Sequence, residues 1–498
     1  MTDPAPSCGP PTWLGIDVGS TSTKATVFDA AGTSLASGSR GYPIARPSPE
    51  RAEQSADDWL DAVHAAVGAI SEQCPLATVR GIGVTSQVDT HVLVDADFRP
   101  LLPALLWQDV RTAAAAEALN AELGAAGRLR GWGNDQPRAA SDPVVRARWL
   151  AEHEPAAWAA ARWLLLPKDL VVARLIEAPV ADPLGSFPVV GADARYVPGI
   201  GHAPGLAERL APLRAPEEPA GATLRPWHGI PAGTPVATGT MDAFGNVLGS
   251  GLAAPGDAML VVGTSVIVAE VGVGGTTGPG VVTFAPYRGR LVHAGPTQSG
   301  GDSLRWWTDA TGHPIEKVLA AAATAEPGAG GVVFAPHLLG ERAPLWDDEV
   351  RGWFIGLHAG TGFAELSRAV LEGIAHSARE LLEAVERAAG VAAGRVVVSG
   401  GGSRSRLWCQ VLADVTGRAL HRSAEKDTAV VGAATLAAAA VSEADPWETA
   451  VQLARCDLVL SPEAGTRQRH DAMHEVYRTS YAALHDVHAR LRRLPEGS

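Results

Sequence analysis

Apolar and polar positions alternate in three consecutive stretches near the start of the chain, at about Thr12 to Asp17, Thr23 to Asp29 and Ser34 to Ser39, with turn residues at Gly19 and at Ala31-Gly32 between them. This pattern predicts an antiparallel meander. From Ser55 to Ser71 the apolar positions shift to Trp59, Leu60, Val63, Ala66, Val67 and Ile70, the spacing of an amphipathic helix behind a Ser55 or Asp57 cap. A buried strand is predicted at Val79 to Val84, followed by apolar segments at Gln87 to Val94 and Leu101 to Trp107 and a helix-rich stretch from Arg111 to Leu175. The segment from about Leu213 to Gly239 is dense in proline, glycine and threonine and is the candidate crossing between two lobes. The opening pattern then returns in strand-like segments at Asp257 to Val262, Ser265 to Val271 and Arg290 to Ala294. Helices are predicted at Phe363 to Ala389 and Leu407 to Val415, with a short buried strand, Arg395 to Ser399, between them. Similar element order in two halves is the sequence sign of an internal duplication. Two unrelated α/β domains with glycine turns are the alternative.

Length fits that organisation, since 498 residues exceed what one hydrophobic core usually serves. The expected division is a disordered lead over residues 1–11, an N-terminal lobe over 12–249 and a C-terminal lobe over 250–498. A net charge of −13 argues against nucleic acid as a partner, because neutralising a phosphate backbone requires a basic face. Cys8, Cys74, Cys409 and Cys456 have neither zinc-ligand nor disulfide-framework spacing, and the proline-rich start is unlike a secretory signal, so a cytoplasmic protein is expected. The Ala-rich run Thr428 to Val441 is too short to span a bilayer of roughly 30 Å and predicts a tightly packed soluble helix instead. Lysine occurs only at positions 24, 168, 317 and 426, so arginine in place of lysine carries little information in this chain.

The candidate chemistry sits where strands end in small residues. Trp13-Leu14-Gly15-Ile16-Asp17 runs into Val18-Gly19-Ser20-Thr21-Ser22-Thr23-Lys24, a turn able to aim several N–H and O–H donors at one phosphate oxygen. Asp17 beside it is suited to hold Mg²⁺, directly or through water, against a nucleotide phosphate. A plain hairpin turn has the same composition. Gly263-Thr264-Ser265 is a weaker echo at the matching point of the second half, and the recurrence is the informative part. Gly400-Gly401-Gly402-Ser403-Arg404-Ser405 lies between a buried strand and a helix start, where backbone without side chains can approach a flat ring or a ribose. No Walker A string occurs. Asp242, in Thr240-Met241-Asp242-Ala243-Phe244-Gly245, is placed either to take a proton from an attacking hydroxyl or simply to cap the helix that starts at Ala243. Gln87-Val88-Asp89 and Trp107-Gln108-Asp109 group polar side chains and one flat indole, the residue types that bind sugars and polyols.

Together these segments resemble the FGGY family of carbohydrate kinases over nearly the whole chain, and xylulose kinases are the closest in pattern. The most specific match runs from Gly352-Trp353-Phe354-Ile355-Gly356-Leu357 to Glu365-Leu366-Ser367-Arg368-Ala369-Val370-Leu371-Glu372, like the family's C-terminal signature. Gly340-Glu341-Arg342-Ala343-Pro344 and Leu166-Pro167-Lys168-Asp169 are also similar to family elements, and Pro143 to Leu150 resembles the N-terminal signature with Arg146 where the family has lysine. The resemblance implies an α/β fold of two ribonuclease-H-like lobes, as in the actin-like ATPase superfamily, with a deep interdomain cleft closing on MgATP and a small sugar or polyol. It implies Asp242 as catalytic base and Mg²⁺ near Asp17 and Asp242. Gly19 to Ser22, Lys24, Gly263, Thr264, Gly301, Arg305, Gly401, Gly402 and Ser405 would form the ATP site. It implies neither nucleic acid nor membrane as partner and leaves a homodimer open. Gln87, Val88, Asp89, Trp107, Asp109 and Asp242 would face the acceptor. Xylulose kinases carry Met-His where this chain has Val88-Asp89, which points to a pentitol or other polyol, or to a ketopentose held differently from D-xylulose. A non-catalytic sugar and nucleotide sensor is the competing class.

Overall fold

The computed structural model describes residues 10–274 and 280–492, so residues 1–9 of the expected lead, with Cys8, lie outside the described residues. The chain forms two compact units, residues 1–251 with 427–455 and residues 252–426 with 456–498.

In the first unit the strands Thr12–Val18, Ser22–Asp29 and Ser34–Gly41 pair antiparallel, as the alternation predicts. Val79–Ser86 then adds parallel to Thr12–Val18, and Pro235–Ala237 and Thr240–Met241 add parallel to Val79–Ser86. Leu14, Ile16, Val27, Ile82 and Val84 are fully buried in this sheet and pack with Trp59, Val63, Val67 and Ile70 of the helix Ala56–Ser71. Two expectations shift here. The Leu213–Gly239 segment is no crossing between lobes: Pro219–Ala222 and Pro235–Ala237 pair with each other at the sheet's edge. The Ala-rich helix, observed at Thr428–Ser442, belongs to this unit and not with the residues that precede it. Its seat explains why. A Cβ on Gly15 would stand 1.9 Å from the Val430 carbonyl oxygen, and one on Gly83 would stand 1.8 Å from that of Ala433. Two neighbouring strands are thus stripped of side chains where the helix backbone lies against them.

The second unit repeats the plan. Asp257–Val262, Val266–Gly272 and Leu291–Pro296 form an antiparallel meander, and Arg395–Ser399 and Leu420–Ser423 extend it in parallel from Asp257–Val262. Cys456–Leu460 closes the sheet in antiparallel pairing. The helix Phe363–Ala389 buries Ala369, Val370, Leu371, Ile374, Ala378, Leu381 and Val385 in this unit's core, where Leu260, Val268 and Val398 also lie. The 3.6-residue spacing of those positions is what made the helix legible. Recurrence of a meander followed by parallel strands supports the duplication. Among the described residues no helix is long and apolar enough to cross a membrane.

Candidate active site

In open α/β sheets ligands gather at the carboxyl ends of parallel strands, where helix N-termini and turns converge. In the first unit three such ends lie side by side. Asp17 pairs with Thr85, Thr240 also pairs with Thr85, and Met241 pairs with Ser86, so Asp17, Thr85 and the peptide leading into Asp242 share one edge. Asp17 is 7% exposed, and the Thr85 hydroxyl donates to its Oδ1 at 3.0 Å. Asp242 opens the helix Asp242–Gly249, and its Oδ1 accepts the Ala243 N–H at 2.7 Å. That bond reaches only the adjacent residue, short of the N2 or N3 N–H a helix cap takes, so the expected capping contact is not made.

The electrostatics of this pair are unusual for carboxylates. Burial pushes Asp242 up to about 7, and the nearby Asp17 charge adds to the rise against the Ala243 N–H and Lys24. Burial likewise raises Asp17 to about 6, opposed by Lys24 and Thr85. Lys24, expected to meet phosphate, is ion-paired with Asp427. Its charge still favours ionisation of both carboxylates.

The first turn is built more tightly than a simple phosphate cradle. The Gly19 N–H is taken by the Ser22 carbonyl at 3.1 Å, and the Gly19 carbonyl accepts the Tyr42 hydroxyl at 2.6 Å. The Ser20 hydroxyl donates to Gln87 Oε1 at 3.0 Å and accepts the Trp107 indole N–H at 3.1 Å. Gln54 reaches the Ser20 carbonyl at 2.6 Å and accepts from Gln87 Nε2 at 3.2 Å. Thr21 is the exposed rim of the turn. Gln87, expected to face the acceptor, is buried at 2% exposure and ties the turn to the strand end. Asp109, expected there too, is likewise held by its neighbours. It is 1% exposed, Arg111 Nε and an Nη reach its two oxygens at 2.8 and 2.6 Å, and the Ala52 N–H adds a further bond at 2.8 Å.

Trp107 and Asp89 are the two expected acceptor contacts less tightly tied into this network. The indole is 38% exposed, and Val88 is half-buried beside Asp89. Asp89 takes φ 49, its Oδ2 accepts the Ser141 hydroxyl at 3.3 Å, and its buried Oδ1 has no hydrogen-bond partner among the described residues. Arg146, fully buried in the helix Pro143–His153, donates to the Asp89 carbonyl at 2.6 Å and to the Leu105 carbonyl at 2.9 Å. A charged residue between Val145 and Ala147 on a buried helix was the signal for this role. Sequence reasoning missed a second buried support. Lys168, fully buried, meets Asp169 at 2.5 Å and Asp182 at 2.9 Å, and Asp182 accepts the Thr240 hydroxyl at 2.8 Å two residues ahead of Asp242.

In the second unit Asp257–Val262 and Arg395–Ser399 are the parallel pair, and their carboxyl ends are Gly263-Thr264-Ser265 and Gly400-Gly401-Gly402. The Gly301 N–H donates to the Gly263 carbonyl at 2.9 Å and the Asp302 N–H to that of Thr264 at 3.1 Å, which seats the helix Gly301–Thr311 on the turn. Arg305 is ion-paired with Asp302 and, with Gly301, lines a cavity of about 750 Å³ that continues to His313 and Ile315. The three glycines differ. Gly400 has φ 87, a Cβ on Gly402 would press on Val262 and Trp408, and one on Gly401 would meet nothing within 4 Å. Gly401 is thus the glycine with room for a ligand. The Ser405 hydroxyl, expected to meet the nucleotide, caps the following helix by accepting the Trp408 N–H at 3.2 Å.

No group of three or more metal-ligating side chains is placed to hold an ion among the described residues. The Asp17 and Asp242 donor set nonetheless suits a hard divalent cation, since buried carboxylates with raised proton affinity, that of Asp242 raised in part by Asp17, are relieved by positive charge, and Mg²⁺ normally takes its other ligands from phosphate and water.

Known proteins resemble this chain along most of its length. The profile of the FGGY family of carbohydrate kinases, N-terminal domain, matches residues 12–184, and that of the C-terminal domain matches residues 258–441. A xylulose kinase of Klebsiella pneumoniae is 31% identical over 447 residues, covering 87% of this chain and 91% of that one. A gluconokinase of Bacillus subtilis (strain 168) is 26% identical over 506 residues, covering 97% and 96%. A crystal structure of a "xyloylose kinase" from Brucella ovis superposes with a TM-score of 0.85 at 26% identity, covering 96% of this chain and all of that one. The chain belongs to the FGGY family of carbohydrate kinases, ATP-dependent phosphotransferases with an alcohol group as acceptor.

Proposed function

We propose that this kinase transfers the γ-phosphate of ATP to a hydroxyl of a pentulose or polyol, with Asp242 as the base. The observation that carries the reading is the Asp242 carboxylate at a shared strand edge with Asp17, its proton affinity brought close to neutrality. A base that titrates near the working pH is ionised often enough to act and still holds a proton well once it takes one. Asp242 would align the acceptor hydroxyl and remove its proton as oxygen attacks phosphorus, leaving ADP and the phosphate ester. Asp17 and Asp242 are the residues that would hold Mg²⁺, which when bound supplies charge neutralisation for the phosphates. Thr21 on the first turn, and Gly263, Thr264, Gly301, Arg305 and Gly401 of the second unit, are the proposed nucleotide contacts.

Acceptor choice falls to Trp107 and Asp89. An indole face suits the C–H groups of a sugar backbone. Burial raises the Asp89 carboxyl against the pull of Arg146 and Ser141; in its ionised form it accepts hydrogen bonds only, and its unpartnered Oδ1 then favours a ligand that presents a hydroxyl there over one that presents a carbonyl. The relatives named xylulose kinase and gluconokinase bracket the class, and Asp89 tilts the reading toward a pentitol or other polyol, or a ketopentose bound differently from D-xylulose. Coupled ADP release over a panel of pentuloses, pentitols, glycerol and gluconate tests it. Acceptor-dependent ADP formation with a polyol among the best substrates is expected. Strong preference for D-xylulose would contradict the polyol reading, and binding without ADP formation would contradict a kinase altogether.

A further inference from the structure

A buried chain of hydrogen bonds in the second unit links its C-terminal helix, Arg467–Arg492, to the segment that leads into Gly301. Tyr477 on that helix is 1% exposed, and its hydroxyl lies 3.0 Å from His337 Nε2. His337, also 1% exposed, places Nδ1 at 2.8 Å from Glu341 Oε2. Glu341 is 2% exposed, and its other oxygen accepts the backbone N–H of Arg342 at 2.9 Å and that of Gln298. These partners fix the imidazole: Nδ1–H donates to the carboxylate and Nε2 accepts from the phenol. Arg342 reinforces the same strand end by donating to the Thr297 carbonyl at 2.7 Å, and the Thr297 hydroxyl donates to the Ser299 carbonyl at 2.6 Å.

The chain ends on Thr297 to Ser299 through Glu341 and Arg342, and two residues after Ser299 the Gly301 N–H donates to the Gly263 carbonyl. We propose that Tyr477, His337 and Glu341 are positioning residues for nucleotide binding, holding the Gln298–Gly301 segment at the register in which it meets the Gly263-Thr264 turn. This rests on the reading of that turn as a nucleotide contact. Buried polar chains of this kind hold one geometry because each member would be left unsatisfied in any other. Tyr477 lies beyond the last residue matched by the family's C-terminal domain, residue 441, so the C-terminal helix gains a role the family match does not cover.

The test measures the affinity of the full chain for the non-hydrolysable analogue AMP-PNP with Mg²⁺, by calorimetry, alongside turnover at saturating ATP and the melting temperature. Tyr477→Phe and Glu341→Gln conserve volume and are expected to weaken AMP-PNP about two- to tenfold, the size of one net hydrogen bond, with turnover at saturating ATP unchanged. Gly301→Ala separates the two readings, since its Cβ would stand 2.6 Å from the Gly263 carbonyl oxygen and must displace the turn. If Gly301→Ala weakens AMP-PNP while Tyr477→Phe and Glu341→Gln only lower the melting temperature, the relay is overturned and the turn stands. If Gly301→Ala leaves affinity unchanged, the nucleotide reading of the turn falls and the relay with it.

Discussion

Asp242 illustrates what a residue's neighbours add to its type. The sequence offers base or cap; in the structure one oxygen accepts the adjacent Ala243 N–H, and burial and Asp17 raise the carboxyl group. The sign of the stability linkage follows. Asp17 and Asp242 bind protons more tightly in the folded chain than their ordinary value of 3.8, so between that value and about 7 the folded state holds protons the unfolded state has released. Stability contributed by this pair is therefore present below that window and lost as pH rises through it. Asp242→Asn removes one member, and it is expected to melt at a higher temperature than the parent at neutral pH and above, with the difference shrinking as pH falls from about 7 and vanishing near the ordinary value of 3.8. Calorimetry across pH checks it, and a variant less stable than the parent at neutral pH would contradict the repulsion. Asp109 and Gln87 mark the limit of composition as a guide at this scale. Both have the chemistry of sugar ligands, yet Arg111 and Ser20 occupy them, and those pairings depend on loops the sequence pattern does not place.

At the scale of elements, hydrophobic period located the strands and the long helix, because each depends on near neighbours. The seat of the Thr428–Ser442 helix was not legible, since its partners Gly15 and Gly83 lie more than three hundred residues earlier in the chain. Its small residues and theirs are complementary only once the sheet exists. Gly83→Ala puts a methyl group into the Ala433 carbonyl and is expected to cost about 1–3 kcal/mol by overpacking, read from urea unfolding. Unchanged stability would mean the helix has room to withdraw. The edge pairing of Pro219–Ala222 with Pro235–Ala237 was hidden for a different reason: proline and glycine signal turns, and proline is tolerated in strands chiefly at sheet edges, which a local reading cannot distinguish from a linker.

At the scale of the molecule, two units repeat one plan, and each presents a strand-end site of different character. The first carries two raised carboxylates, an exposed indole and the unpartnered Asp89 oxygen, where the acceptor and its deprotonation are proposed. The second carries glycine turns and a cavity beside Arg305, where the nucleotide is proposed. Duplication was readable because the turn after the first strand recurs, whereas the return of residues 427–455 to the first unit was not. The account as a whole stands on Asp242 as the base. Its most direct test is Asp242→Asn assayed for turnover with the best acceptor and for AMP-PNP affinity on the same preparation. Turnover is expected to fall by about 10²- to 10⁴-fold with nucleotide affinity retained, and turnover near that of the parent would contradict the assignment.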